Sequence, residues 1–176
     1  MRSIRGASIV IGLALALAAC DRAAPPKDRR AEAKRLAALW TYYDEPVAGG
    51  RQRSAAIYST GEVETGGATP GRVRLVFRDH PAWGRSSYLV LQGGDFDCYS
   101  GCTVQVKVDD DPPKPMPARR PTTDEAIAMF IDDVHTLWRL TAGARKVSID
   151  FPVKDRGIRS ASFEVGGLEP SKITGS

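Results

Sequence analysis

Residues for chemistry are scarce in this chain. It has 2 histidines and 3 cysteines in 176 residues. No G-x-S-x-G, H-E-x-x-H or phosphate-loop pattern occurs, which removes the common routes to serine hydrolysis, zinc proteolysis and phosphoryl transfer. Charge of one sign is also in short supply. The formal net charge is +4, and it falls to +2 once Arg2 and Arg5 are set aside with a leader expected to be removed. So small an excess does not argue for nucleic acid, which asks for a concentrated basic face. After Leu17 there is no apolar run long enough to span a bilayer.

The N-terminus carries the most specific signal. Met1 to Arg5 is short and positive, and Ile9 to Leu17 is apolar apart from Gly12. The run falls short of the roughly 20 residues that a spanning helix needs, and it fits a secretory leader. Leu17-Ala18-Ala19-Cys20 then resembles the bacterial lipobox. The resemblance implies cleavage before Cys20 and acylation of its sulfur and its new amino group. Several acyl chains make a stable anchor where one would be marginal. Asp21 resembles an inner-membrane retention signal and leans the localisation that way. The expectation is a signal peptide over 1–19, a lipidated Cys20 with a tether over 20–38, and a domain facing the periplasm. In the tether, residues 28–39 favour helix by propensity. Its basic residues could lie on anionic lipid, but a solvated spacer is the plainer reading.

From Trp40 onward the pattern is β. Short alternating runs recur between Gly, Pro and Asp clusters, which predicts an antiparallel sheet covered on one side. Val73, Leu75 and Phe77 alternate with arginines; Tyr88 and Val90 share a face; Val104, Val106 and Val108 alternate with polar residues. Val147, Ile149 and Phe151 pair by a hairpin turn at Asp155-Arg156-Gly157 with Ala161, Phe163 and Val165. The fold class is mainly β, an antiparallel β-sandwich with one helix, over residues 39–168. Residues 169–176 read as a flexible tail. Residues 124–141 have two parses: one helix throughout, or a strand over 126–131 and then a helix capped by Asp132. Gly143 ends the helix in both.

Cys98 and Cys102, spaced C-x3-C between two strands, read as a disulfide fastening a turn in an oxidising compartment. So small a loop stabilises by only about 2 kcal/mol in the chain-entropy account. A redox pair normally has C-x-x-C at a helix start. A metal site needs further ligands, for which only His80 and His135 are obvious candidates. Asp109-Asp110-Asp111 lacks EF-hand spacing and reads as a solvated strand end. Pro112 to Pro121 reads as an exposed, stiff polyproline loop. Arg72, Arg74 and Arg78, with Arg85, form a basic stripe on the wet face of the sheet, with a binding surface as the second reading.

Around the cysteine turn the chain has Phe96-x-Cys98-x3-Cys102-x-Val104-x-Val106-x2-Asp109-Asp110, then Ile149 to Phe151, Gly157 and Phe163-Glu164-Val165-x-Gly167-Leu168. Over about 40–168 this resembles small β-sandwich proteins of the bacterial envelope. Some of these are lipoproteins and some accompany secretion or prophage loci. The resemblance implies a strand before the helix and carries over no catalytic residue. The stretch from Pro112 to Pro121 and the charged tether depart from it.

The functional expectation is a membrane-anchored, non-catalytic interaction module that meets the membrane through its lipid and an envelope protein through its surface. It needs no cofactor or metal, and nucleic acid is not among its partners. Two rivals belong to other classes. One is a periplasmic enzyme using His80 and nearby carboxylates. The other is a binder of small ligands or lipid between the sheets.

Overall fold

A computed structural model describes residues 26–122 and 126–174. The expected leader, Cys20, Asp21 and residues 123–125, where the one-helix parse would begin, lie outside the described residues. The described residues begin with α1 (Pro26–Ala37), as tether propensity predicts. Nine strands follow: β1 (Thr41–Val47), β2 (Gly50–Tyr58), β3 (Arg74–His80), β4 (Gly84–Val90), β5 (Cys102–Val108), β6 (Lys114–Arg119), β7 (Ala128–Ile131), β8 (Val147–Val153) and β9 (Gly157–Phe163). Between β7 and β8 lies α2 (Val134–Ala142), and a single 3-10 turn spans Pro170–Lys172.

All nine strands form one sheet, in the order β1-β2-β3-β4-β7-β6-β5-β8-β9, and every neighbouring pair is antiparallel. Pairing is long within each half, at seven residues for β3–β4 and for β8–β9. It shrinks to two pairs between β6 and β7, Ala118 with Ile131 and Arg119 with Phe130. The halves on either side of this seam enclose one apolar cluster, which makes the fold a mainly β, sandwich-like layer pair. At the far side, Thr60 N–H donates to Ser162 O at 2.8 Å, and Arg159 donates to Glu64 O at 3.1 Å. Residues 60–64 therefore cover part of the edge of β9, which would otherwise invite another strand.

The alternation expected for the core holds in most strands. Leu75, Phe77, Val104, Val106, Ile149, Phe151, Ala161 and Phe163 are all buried. In β4 Tyr88 and Val90 share a face as expected, and it is the half-buried outer one, while Ser87 and Leu89 are buried. Fully burying a phenylalanine side chain is worth about 1.5–3 kcal/mol. Phe77, Phe96, Phe151 and Phe163 are each fully buried, so the interior is filled by these rings.

Three expectations are corrected. Pro112 to Pro121 is not a free polyproline loop, because Lys114–Arg119 forms β6 with Met116 and Ala118 buried. The prolines are tolerated for a geometric reason. Pro117 O accepts from Asp132 N at 2.9 Å, so the amide side of Pro115 and Pro117 faces β7, whose register with β6 starts only at Ala118. The tail is not wholly loose either, since Ile173 is buried in the core and Glu169 N donates to the Tyr42 hydroxyl. Thirdly, Asp109 is more than a solvated strand end. Its carboxylate accepts from the backbone N–H groups of Arg145 and Lys146, which ties the end of β5 to the approach to β8.

The ambiguous stretch resolves as strand, then helix. The cap is Asp133, one residue later than expected, with its carboxylate accepting from Thr136 N. Asp132 instead pairs with Arg119 at 2.8 Å. Gly143 closes α2, as predicted.

Tight backbone approach gives a stability test. A Cβ on Gly94 would sit 1.5 Å from Thr65 O, at φ +75°, whereas one on Gly49, at φ +88°, would meet nothing. Gly49→Ala is expected to cost about 1–2 kcal/mol for the left-handed backbone alone. Gly94→Ala should cost about 3 kcal/mol or more, because overpacking adds to that. Urea unfolding of the two variants would separate the terms, and equal losses would contradict the close approach.

Candidate functional site

The cysteine turn lies beside the seam. The sulfurs of Cys98 and Cys102 are 2.07 Å apart, within bonding distance. Cys98 is buried against Ala118 O of β6, with Sγ at 3.4 Å, and Cys102 Sγ touches Met129 Sδ of β7 at 3.6 Å. Cys102 also stands opposite Ala118 in the β5–β6 register. The bridge thus contacts both strands that meet at the seam.

Outside the bridge, Asp95 gathers the loop. It accepts from Tyr99 OH, from Arg120 Nη1 at 2.7 Å and from Phe96 N at 2.9 Å. Partial burial pushes its carboxyl pKa up, but the Tyr99 and Arg120 contacts outweigh this and hold it below the usual aspartate value.

Across the seam, the strand registers line up a row of outer-face side chains. Arg78 stands opposite Ser86 on β3–β4, Tyr88 opposite Phe130 on β4–β7, and Phe130 opposite Arg119 on β7–β6. The Arg78 guanidinium lies 5.4 Å from the Trp83 ring, 5.4 Å from Tyr88 and 5.9 Å from Phe130, within cation–π range of all three. Its Nε donates to Ser86 Oγ at 3.1 Å. Arg119 lies 5.7 Å from the Phe130 centroid. Arg85 rests on Trp138, whose indole N–H donates to Ser87 Oγ at 2.8 Å.

Several of these side chains line an open groove of about 800 Å³, with Tyr88, Ser87 and Trp138 behind it. Its walls are Arg78, Trp83, Arg85, Arg119 and Phe130, and Asp132 is the acidic residue among them. Trp83 is 70% exposed at the tip of the β3–β4 hairpin. It stacks on His80, with ring centroids 3.9 Å apart and planes 14° apart.

The predicted site residues are distributed unevenly around this groove. Of the basic stripe, Arg78 and Arg85 enter it; Arg72 lies on a separate depression with Tyr58 and Gln92. His80 is buried, and its Nδ1 accepts from Ala82 N at 3.1 Å, so this nitrogen holds the turn. His135 is exposed on α2, outside the groove. Among the described residues no cluster of three or more His, Cys, Asp or Glu could hold a metal ion. Sequence reasoning missed Arg119 and Phe130. The signal for Arg119 was the alternation of Met116 and Ala118 with Pro115, Pro117 and Arg119, which marks a strand with an outward arginine.

No protein family, characterised protein or solved structure matches the chain. The functional reading therefore rests on the groove and on the N-terminal pattern.

The Asp95 cluster predicts a pH dependence. A carboxyl whose folded pKa is depressed adds stability above its unfolded value, about 3.9, and loses it as pH falls through the folded value. Asp95→Asn should lower the urea midpoint at pH 7 and bring it nearer to wild type at pH 2. A constant gap at both pH values would contradict the charge-assisted contacts.

Proposed function

We propose that the chain is a lipid-anchored envelope protein whose β domain is a non-catalytic interaction module, with the arginine and aromatic groove as its contact surface. The carrying observation is the outer-face row across the seam. It presents Arg78, Arg119, Tyr88 and Phe130 together, with Trp83 projecting beside them. Tryptophan, tyrosine and arginine are the residues most enriched where binding energy concentrates in protein interfaces. The aromatic walls remove rotamer freedom from Arg78 before any partner arrives, which lowers the entropic cost of binding.

The N-terminal arrangement supports the same reading. Between Cys20 and the start of α1 the chain reaches at most about 20 Å. At its other end α1 abuts the domain: a Cβ on Gly167 would fall 2.3 Å from Leu36 C, and Arg35 pairs with Glu164 at 3.0 Å. An anchor at Cys20 would keep the domain near the membrane surface. The rival reading of a His80 enzyme gains nothing from the geometry, because His80 does not line the groove.

Two measurements in the native envelope test this. A photocrosslinking residue at Thr122, on the groove rim, should capture one recurrent protein, and the same residue at Ile158, on exposed β9, should not. Equal capture at both positions would contradict the assignment of the surface. Cys20→Ser should leave an unprocessed precursor, and normal processing of that variant would overturn the anchor.

A further inference from the structure

Among the described residues, charge in the groove is one-sided: three arginines face one aspartate, and Asp132 is already engaged with Arg119 at 2.8 Å. Besides its place on Trp138, Arg85 has a long ion-pair contact to Asp79, at 3.9 Å. Arg78 makes no ion pair with a carboxylate among the described residues. Its single hydrogen bond there uses Nε, which leaves both Nη atoms without a protein acceptor.

A guanidinium fixed by three rings and a serine hydroxyl, with its outer donors unspent, is prepared to take a carboxylate in bidentate fashion. The surroundings narrow the ligand further. Trp83, Phe130 and Val134 supply apolar surface beside the charges. A small inorganic anion would use the arginines and none of that area. A chain bearing acidic and apolar side chains would use both.

We infer that the groove binds an extended acidic peptide segment of a protein partner, with one carboxylate on Arg78, further acidic groups toward Arg85, and an apolar side chain against Trp83 and Phe130. This rests on the reading of the domain as an interaction module and adds the chemical class of what it binds.

The test uses the full chain in detergent and follows tryptophan fluorescence, since Trp83 is the exposed indole of the groove. The probes are a short peptide alternating glutamate with phenylalanine, its glutamine counterpart, and inorganic phosphate. The glutamate peptide should give a saturable change. Loss of a charge-assisted hydrogen-bond pair should make the glutamine peptide bind roughly tenfold or more weakly. Arg78→Gln should weaken the glutamate peptide by a similar factor, and Arg156→Gln, in the distant β8–β9 turn, should leave it unchanged. The comparison of the two peptides on the unaltered protein does not depend on whether Arg78→Gln folds. Equal binding of both peptides, no binding of either, or displacement of the glutamate peptide by phosphate at equal concentration would each overturn the inference. A partner crosslinked at Thr122 through a segment without acidic residues would also overturn it, and would leave the interaction module standing. Selective peptide binding with no partner captured at Thr122 would support the ligand chemistry and count against the module reading alone.

Discussion

Two residue pairs join the halves of the sheet, and the site depends on them. Ala118 with Ile131 and Arg119 with Phe130 are the whole of the β6–β7 ladder. So short a ladder is weak by itself, because each cross-strand pair contributes only about 0.2–1 kcal/mol. Its neighbours reinforce it. Pro117 O holds Asp132 N, Arg119 pairs with Asp132, and the Cys98–Cys102 bridge presses on Ala118 from one side and Met129 from the other. The same ladder sets Arg119 on Phe130 and brings Phe130 against Tyr88 and Arg78. Register at the seam therefore decides whether the groove exists.

Stability and function draw on different forces here. The apolar cluster, with its four fully buried phenylalanines, accounts for the fold, since each such side chain outweighs a typical surface ion pair. Exposed pairs such as Arg35 with Glu164 and Arg51 with Asp44 add little to that. They orient elements: the first holds α1 against the domain, and the second stiffens the β1–β2 hairpin. The groove arginines act in a third way. Arg78 is held by ring faces rather than by a carboxylate, so its charge is kept in place without being neutralised.

Much of the fold was legible because period-2 alternation maps directly onto burial. Leu75 and Phe77, Val104 and Val106, and Ile149 and Phe151 each read correctly for that reason. The helix end at Gly143 and the cysteine turn followed from local chemistry. What failed was long-range. Lys114–Arg119 has the composition of a loop, and only its partners β5 and β7 make it a strand. With β6 misread, Arg119 and Phe130 had no shared address, so the basic stripe was assigned to Arg72 and Arg74 alongside Arg78. The groove is a product of strand order, which alternation along one strand does not encode. Ile173 was missed for a similar reason, because its burial depends on where the chain end returns.

The most direct test of the seam is amide hydrogen exchange on the full chain, oxidised and reduced. If the bridge braces β6 against β7, reduction should speed exchange at Asp132 N, whose acceptor is Pro117 O, and at the neighbouring seam amides. The long β2–β3 ladder, far from the bridge in the strand order, should keep its protection. Unchanged protection at Asp132 after reduction, or a uniform loss across both ladders, would contradict the claim that the disulfide-braced seam holds the groove in register.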